Sequence, residues 1–312
     1  MKYNTKKIIK FCGSILMLVA CIFIGVKLYN YKDQIVWGQI YAQKEVVFIE
    51  ILSYALVMLM SPITYQILIR ITTHRRIPFR EIQYICCKSN IYKYVPGNIF
   101  QYIGRNQLAV AQNQKHSEVA MATMLEIGII ICSSIVVTLL MARDAAFVWL
   151  EQYGNVEWII KCMIIVFCVA GIIIFFLRKK VSVIWKKILE LCSVRTLLRL
   201  LGAGVWFSFI LILDGLLFGL SFRIVGIQLS FSELYTVIGL FALSYCIGYI
   251  MPGVPGGIGV REAVLMLFMG DIIDNAVLVT VTVLFRMISI LGDILAYFVV
   301  ELLKAGRRKR QS

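Results

Sequence analysis

Blocks of about twenty apolar residues separated by short basic stretches dominate this chain and restrict what it can become. Near 8–28, 46–69, 119–142, 158–177, 200–222 and 234–251 the sequence is long and apolar enough to cross about 30 Å of hydrocarbon as a helix. The last third is apolar but interrupted by Arg261, Glu262, Asp271, Asp274, Arg286 and Asp293. It reads as a short span near 258–271 and a longer one near 275–301. The predicted fold is an all-α integral membrane protein of about eight helices, one polytopic domain over 1–312. Only 16% of the residues are charged, where soluble domains carry about a quarter. So few polar groups cannot cover a water-soluble surface, which excludes a cytosolic enzyme.

Basic residues set the orientation. The net charge of +15 would suggest nucleic acid in a soluble chain. Here the cations gather at the N-terminus (Lys2, Lys6, Lys7, Lys10), in 70–93, in 178–199 and in the tail from Lys304 to Arg310. Together these groups hold 22 of the 32 Lys and Arg residues. They fall on alternate loops, as the positive-inside rule requires. The expected setting is therefore a bacterial plasma membrane with both termini cytoplasmic, the cations meeting anionic headgroups and no nucleic acid involved. Leu18–Cys21 resembles a lipoprotein cleavage site, but the apolar run continues to Val26, which favours an uncleaved anchor helix. Residues 182–199 form a basic amphipathic stretch, read either as a headgroup-layer helix or as a solvated connector. The nine cysteines lack any C-x-x-C pair and read as apolar filler, so neither a metal nor a cofactor is called for.

Two Pro-Gly breaks carry the functional signal. The first lies in a segment near 82–112 that is too polar to span: Pro96 and Gly97 are followed by Gln101, Gly104 and Arg105. Proline removes a backbone donor, and such a break at membrane depth is tolerated only against protein or a watery cavity. The alternative is an interfacial turn. The second break, near 252–262, packs Pro252, Gly253, Pro255, Gly256, Gly257 and Gly259 ahead of Arg261 and Glu262. No helix survives that density, and the Gly-Lys-Ser/Thr of a nucleotide loop is absent. A re-entrant connector or a helix-packing site is the plainer reading. Paired breaks in two halves of a membrane protein point to a central substrate site.

Glu126, Asp214, Arg286 and Asp293 interrupt apolar helices, where each costs roughly 2.5–3.5 kcal/mol on insertion scales and needs a partner. Arg286 and Asp293 lie about 10 Å apart in helical rise, so Glu262 is the expected partner of Arg286. Glu126 is expected to lock helices together. Gly215 and Gly219 suit helix association, and a homo-oligomer is left open.

Lys93-Tyr94-Val95-Pro96-Gly97 with Gly104-Arg105, the run Pro255-Gly256-Gly257-Ile258-Gly259-Val260-Arg261-Glu262, and Leu284-Phe285-Arg286-Met287 resemble the transmembrane, flippase-like family of lysylphosphatidylglycerol synthase. That family is the membrane half of the multiple peptide resistance factor. Asn98 departs from the basic residue many relatives carry. The resemblance implies movement of a polar-headed lipid between leaflets. The residues themselves point to Arg105, Arg261 and Arg286 as receiving a phosphate-bearing headgroup, to Gln101 and Asp214 as further substrate contacts, and to Glu262 as either orienting Arg261 or Arg286 or contacting a cationic headgroup. The resemblance does not imply lysyl transfer, which belongs to a soluble domain; the stretch 70–118 is too short to hold one. No catalytic residue is assigned. The alternative is a non-transporting subunit that docks an envelope glycosyltransferase or another envelope-biosynthesis enzyme through its basic faces.

Overall fold

The computed structural model describes residues 37–95, 100–145, 193–250, 257, 259–270 and 273–311. The expected spans near 8–28 and 158–177 lie outside these residues, as do Pro96, Gly97, Pro252, Gly253, Pro255 and Gly256. Described elements are helical throughout: α1 (Trp37–Ala42), α2 (Lys44–Met60), α3 (Pro62–Thr73), α4 (Phe79–Ile91), a 3-10 turn (Tyr92–Tyr94), α5 (Phe100–Val110), α6 (His116–Met141), α7 (Val194–Ile224), α8 (Phe231–Ile250), α9 (Val260–Met269) and α10 (Asn275–Gln311). Among the described residues five segments are long and apolar enough to cross a membrane: Lys44–Thr73, His116–Met141, Val194–Ile224, Phe231–Ile250 and Asn275–Gly306. The chain is thus an all-α, multi-pass membrane protein.

The segment expected as a short span near 258–271 holds the ten-residue helix α9. At 1.5 Å per residue it is about 15 Å long, half the hydrocarbon thickness. The glycines before it and Gly270 after it leave too few helical residues for a crossing. Phe79–Ile91 and Phe100–Val110 are two short helices, in keeping with a segment too polar to span.

Local chemistry explains the element ends. Ser230 and Glu233 cap α8 reciprocally: Ser230 N–H donates to the Glu233 carboxylate at 2.7 Å, and Glu233 N–H to Ser230 Oγ at 3.3 Å. Asp274 accepts from the N–H groups of Ala276 and Val277 at the start of α10. Pro62 divides the first described crossing, since it has no N–H for the carbonyl of Met58. The carbonyls around this bend find other donors: Ser61 Oγ on Met58 O at 3.2 Å, Gln83 Nε2 of α4 on Leu59 O at 2.8 Å, and Trp206 Nε1 of α7 on Met60 O at 3.3 Å.

One core forms where α2, α7, α8 and α10 meet. Phe218 stacks on Phe241 with centroids 5.0 Å apart, and Phe285 meets both edge-on at 5.4 Å. A second core joins Tyr65 and Leu68 of α3, Ile82 and Ile85 of α4, Ala109 of α5 and Val119 of α6. Within the chain Gly215 and Gly219 of α7 receive Ile238 and Leu234 of α8, contacts a Cβ would block. Large apolar side chains such as Phe48, Leu56, Leu140 and Leu201 face outward, as lipid-facing surfaces require.

Candidate functional site

Helices α2 to α10 enclose a cavity of about 150 Å³. Both non-spanning elements reach it: Lys93, Tyr94, Gln101 and Arg105 from the first, Arg261 and Leu265 from α9. The structure therefore gathers Gln101, Arg105, Asp214, Arg261 and Arg286 around one space, with Glu262 directly behind Arg286.

Three ion pairs form its framework. Asp293 of α10 is almost fully buried and accepts from Asn90 Nδ2 at 2.8 Å and Tyr94 Oη at 2.6 Å, with Lys93 Nζ at 2.6 Å. This pins the turn after α4 to the longest helix. Arg105 of α5 pairs with Glu126 of α6, donates from Nε to Ser89 Oγ at 3.3 Å, and lies 4.7 Å over the Tyr65 ring. Glu126 locks two helices, as its position in an apolar run predicts. Arg286 pairs with Glu262, with Nη2 donating to the carboxylate at 3.0 Å and to the carbonyl of Gly257 at 2.9 Å. Glu262 in turn accepts from Gly259 N–H at 2.7 Å. One carboxylate thus anchors the turn before α9 and answers the buried guanidinium of α10.

Backbone geometry explains the glycines that remain in view. Gly257 has φ of 68° and Gly259 of 85°, a region that side chains with a Cβ rarely adopt. A Cβ on Gly257 would fall 2.8 Å from the carbonyl oxygen of Gly248. Gly248 is itself covered by Arg261, whose Cγ would sit 2.7 Å from an added Cβ. Gly257 therefore lets the backbone lie directly on α8 at Gly248, and Gly248 lets Arg261 reach across α8.

The pairing alters the electrostatic picture expected from sequence, in which three arginines make a positive chamber. Lys93, Arg105 and Arg286 are each answered by a carboxylate. Arg261 stacks 4.5 Å over Tyr245 and has no carboxylate within 4 Å among the described residues. Tyr245 stacks on Tyr249, and Tyr249 meets Tyr102 edge-on, so one wall is aromatic. Asp214 is 4% exposed, and its Oδ1 has no hydrogen-bond partner among the described residues. Lys93, Asn90, Tyr94 and Tyr245 escape sequence reasoning as site residues, because none breaks a pattern alone. Glu50 is a further buried carboxylate, outside the cavity lining, that accepts from Ser221 Oγ at 2.6 Å.

A family model described as the lysylphosphatidylglycerol synthase TM region matches residues 108–296. The matched stretch takes in Asp214, Arg261, Glu262, Arg286 and Asp293 and begins just after Arg105. No curated protein matches the chain.

Proposed function

Because the chain belongs to the lysylphosphatidylglycerol synthase TM-region family, whose model covers more than half of it, we propose that it is a lipid translocase. In this reading it works in the bacterial plasma membrane, with both termini cytoplasmic, and passes a phosphate-bearing headgroup of a phospholipid or polyprenyl-linked lipid between leaflets. The observation that carries the reading is the polar cavity itself. A helical bundle in lipid has no need of a space lined by four cations and three carboxylates, each costly to bury. Shelter for a charged headgroup on its way across hydrocarbon repays that cost. Arg261 meets the phosphate, Arg105 and Arg286 shape the field from within their ion pairs, and Gln101 and Asp214 offer polar contacts. Glu262 holds Arg286 in position.

The test is transbilayer movement in liposomes containing the purified protein. Labelled anionic phospholipid, zwitterionic phospholipid and polyprenyl-linked sugar are the probes, and movement of at least one must exceed that in protein-free liposomes. If none does while the protein stays folded, the reading fails. A membrane subunit that only docks an envelope enzyme tolerates alanine at Arg261, which has no carboxylate within 4 Å among the described residues; a translocase does not.

A further inference from the structure

Counting charge around the cavity narrows the substrate. Lys93 is closed by Asp293, Arg105 by Glu126 and Arg286 by Glu262. The residues on either side of the breaks that lie outside the described structure add no charge, being Pro, Gly, Asn, Ile, Met and Val. Among the described residues lining the cavity, two groups are left over, and they have opposite signs. Arg261 faces the cavity over Tyr245, its Nε buried and without a hydrogen-bond partner among the described residues. Asp214 faces the same cavity from α7, its Oδ1 equally without a donor and no cation within 4 Å among the described residues. The two line one space without closing on each other.

An unpaired buried charge is expensive, so each of these groups needs a counterpart. A lone phosphate satisfies Arg261 but is repelled by Asp214; a lone amine meets the reverse problem. A group carrying both charges a few bonds apart satisfies both. We infer that the cavity receives a net-neutral zwitterionic headgroup, a phosphodiester bearing an ammonium of the phosphoethanolamine type, with its phosphate on Arg261 and its ammonium on Asp214. This rests on the translocase reading and replaces the anionic headgroup expected from the arginines alone. The cavity's near-neutral balance favours the same class, because a net charge on the ligand would stay uncompensated inside the membrane.

The experiment compares three labelled lipids in the same proteoliposomes: phosphatidylethanolamine, phosphatidylglycerol and lysyl-phosphatidylglycerol, which are zwitterionic, anionic and cationic. Phosphatidylethanolamine is expected to move at least about tenfold faster than the other two, since a charge-assisted contact is worth that much. Asp214→Asn should erase this preference, whereas Arg261→Gln should slow all three. Equal or faster movement of either charged lipid overturns the inference and leaves the translocase reading standing. If no lipid moves, that reading falls, and retention of the same three lipids by the purified protein in native mass spectrometry decides the inference alone. Preferential retention of phosphatidylethanolamine that Asp214→Asn abolishes supports it; indifferent retention overturns it. Asp214→Asn keeps the side-chain shape, and gel-filtration behaviour checks its fold.

Discussion

Replacing Arg286 with methionine strands Glu262. That carboxylate has only 12% of its side chain exposed, faces Arg286 through both oxygens and takes one further bond from Gly259 N–H. Removing one partner of a buried pair costs about 3–5 kcal/mol, because the remaining charge stays desolvated. Glu262→Gln should cost less, about 1.5–3 kcal/mol, since the amide oxygen still accepts from Gly259 and the carbonyl of Gly257 still accepts from Arg286. With both substitutions present neither charge is left, so the double variant should lose far less than the two single losses combined. The expected coupling is about 2–3 kcal/mol. Unfolding in mixed micelles with rising SDS, followed by tryptophan fluorescence, measures all four corners of this cycle. Additive losses, with coupling below about 0.5 kcal/mol, would refute the claim that these side chains act as one unit.

Three other outcomes follow from the geometry. Gly104→Ala drives a Cβ into the Tyr92 ring and should cost about 1–3 kcal/mol through overpacking; adding Tyr92→Leu should recover part of it in the same unfolding assay. Asp293→Leu leaves Lys93, Asn90 and Tyr94 without their shared acceptor and should destabilise by about 3–5 kcal/mol, while Asp293→Asn loses less. Arg75→Cys, at an exposed position between α3 and α4, should react with a membrane-impermeant maleimide only from the cytoplasmic side, in spheroplasts only after lysis.

Much of the fold was legible because hydropathy over twenty residues is a coarse property that survives local detail. The spans near 46–69, 119–142, 200–222, 234–251 and 275–301 match described helices within a few residues at most ends. The segment 258–271 misled because its apolar content is high while its helical length is not: glycine density, not hydropathy, sets the length of α9. In the site, the partner of Arg286 was readable from charge spacing along one helix. The pairs Arg105–Glu126 and Lys93–Asp293 were not, because each joins separate helices whose relative rotation no single-sequence pattern encodes. For the same reason sequence overstated the positive field of the cavity. It displays cations and carboxylates but not which of them cancel.

The bend at Pro62 has a mechanical consequence. Ordinarily a proline in a crossing helix leaves loose carbonyls and a soft pivot. Here those oxygens are held by Gln83 from one neighbour and Trp206 from another, so the elbow is bolted on two sides. Flexing it would mean breaking both bolts. The elbow is therefore a fixed point, and any bending of this bundle has to be taken up by parts not fastened in this way.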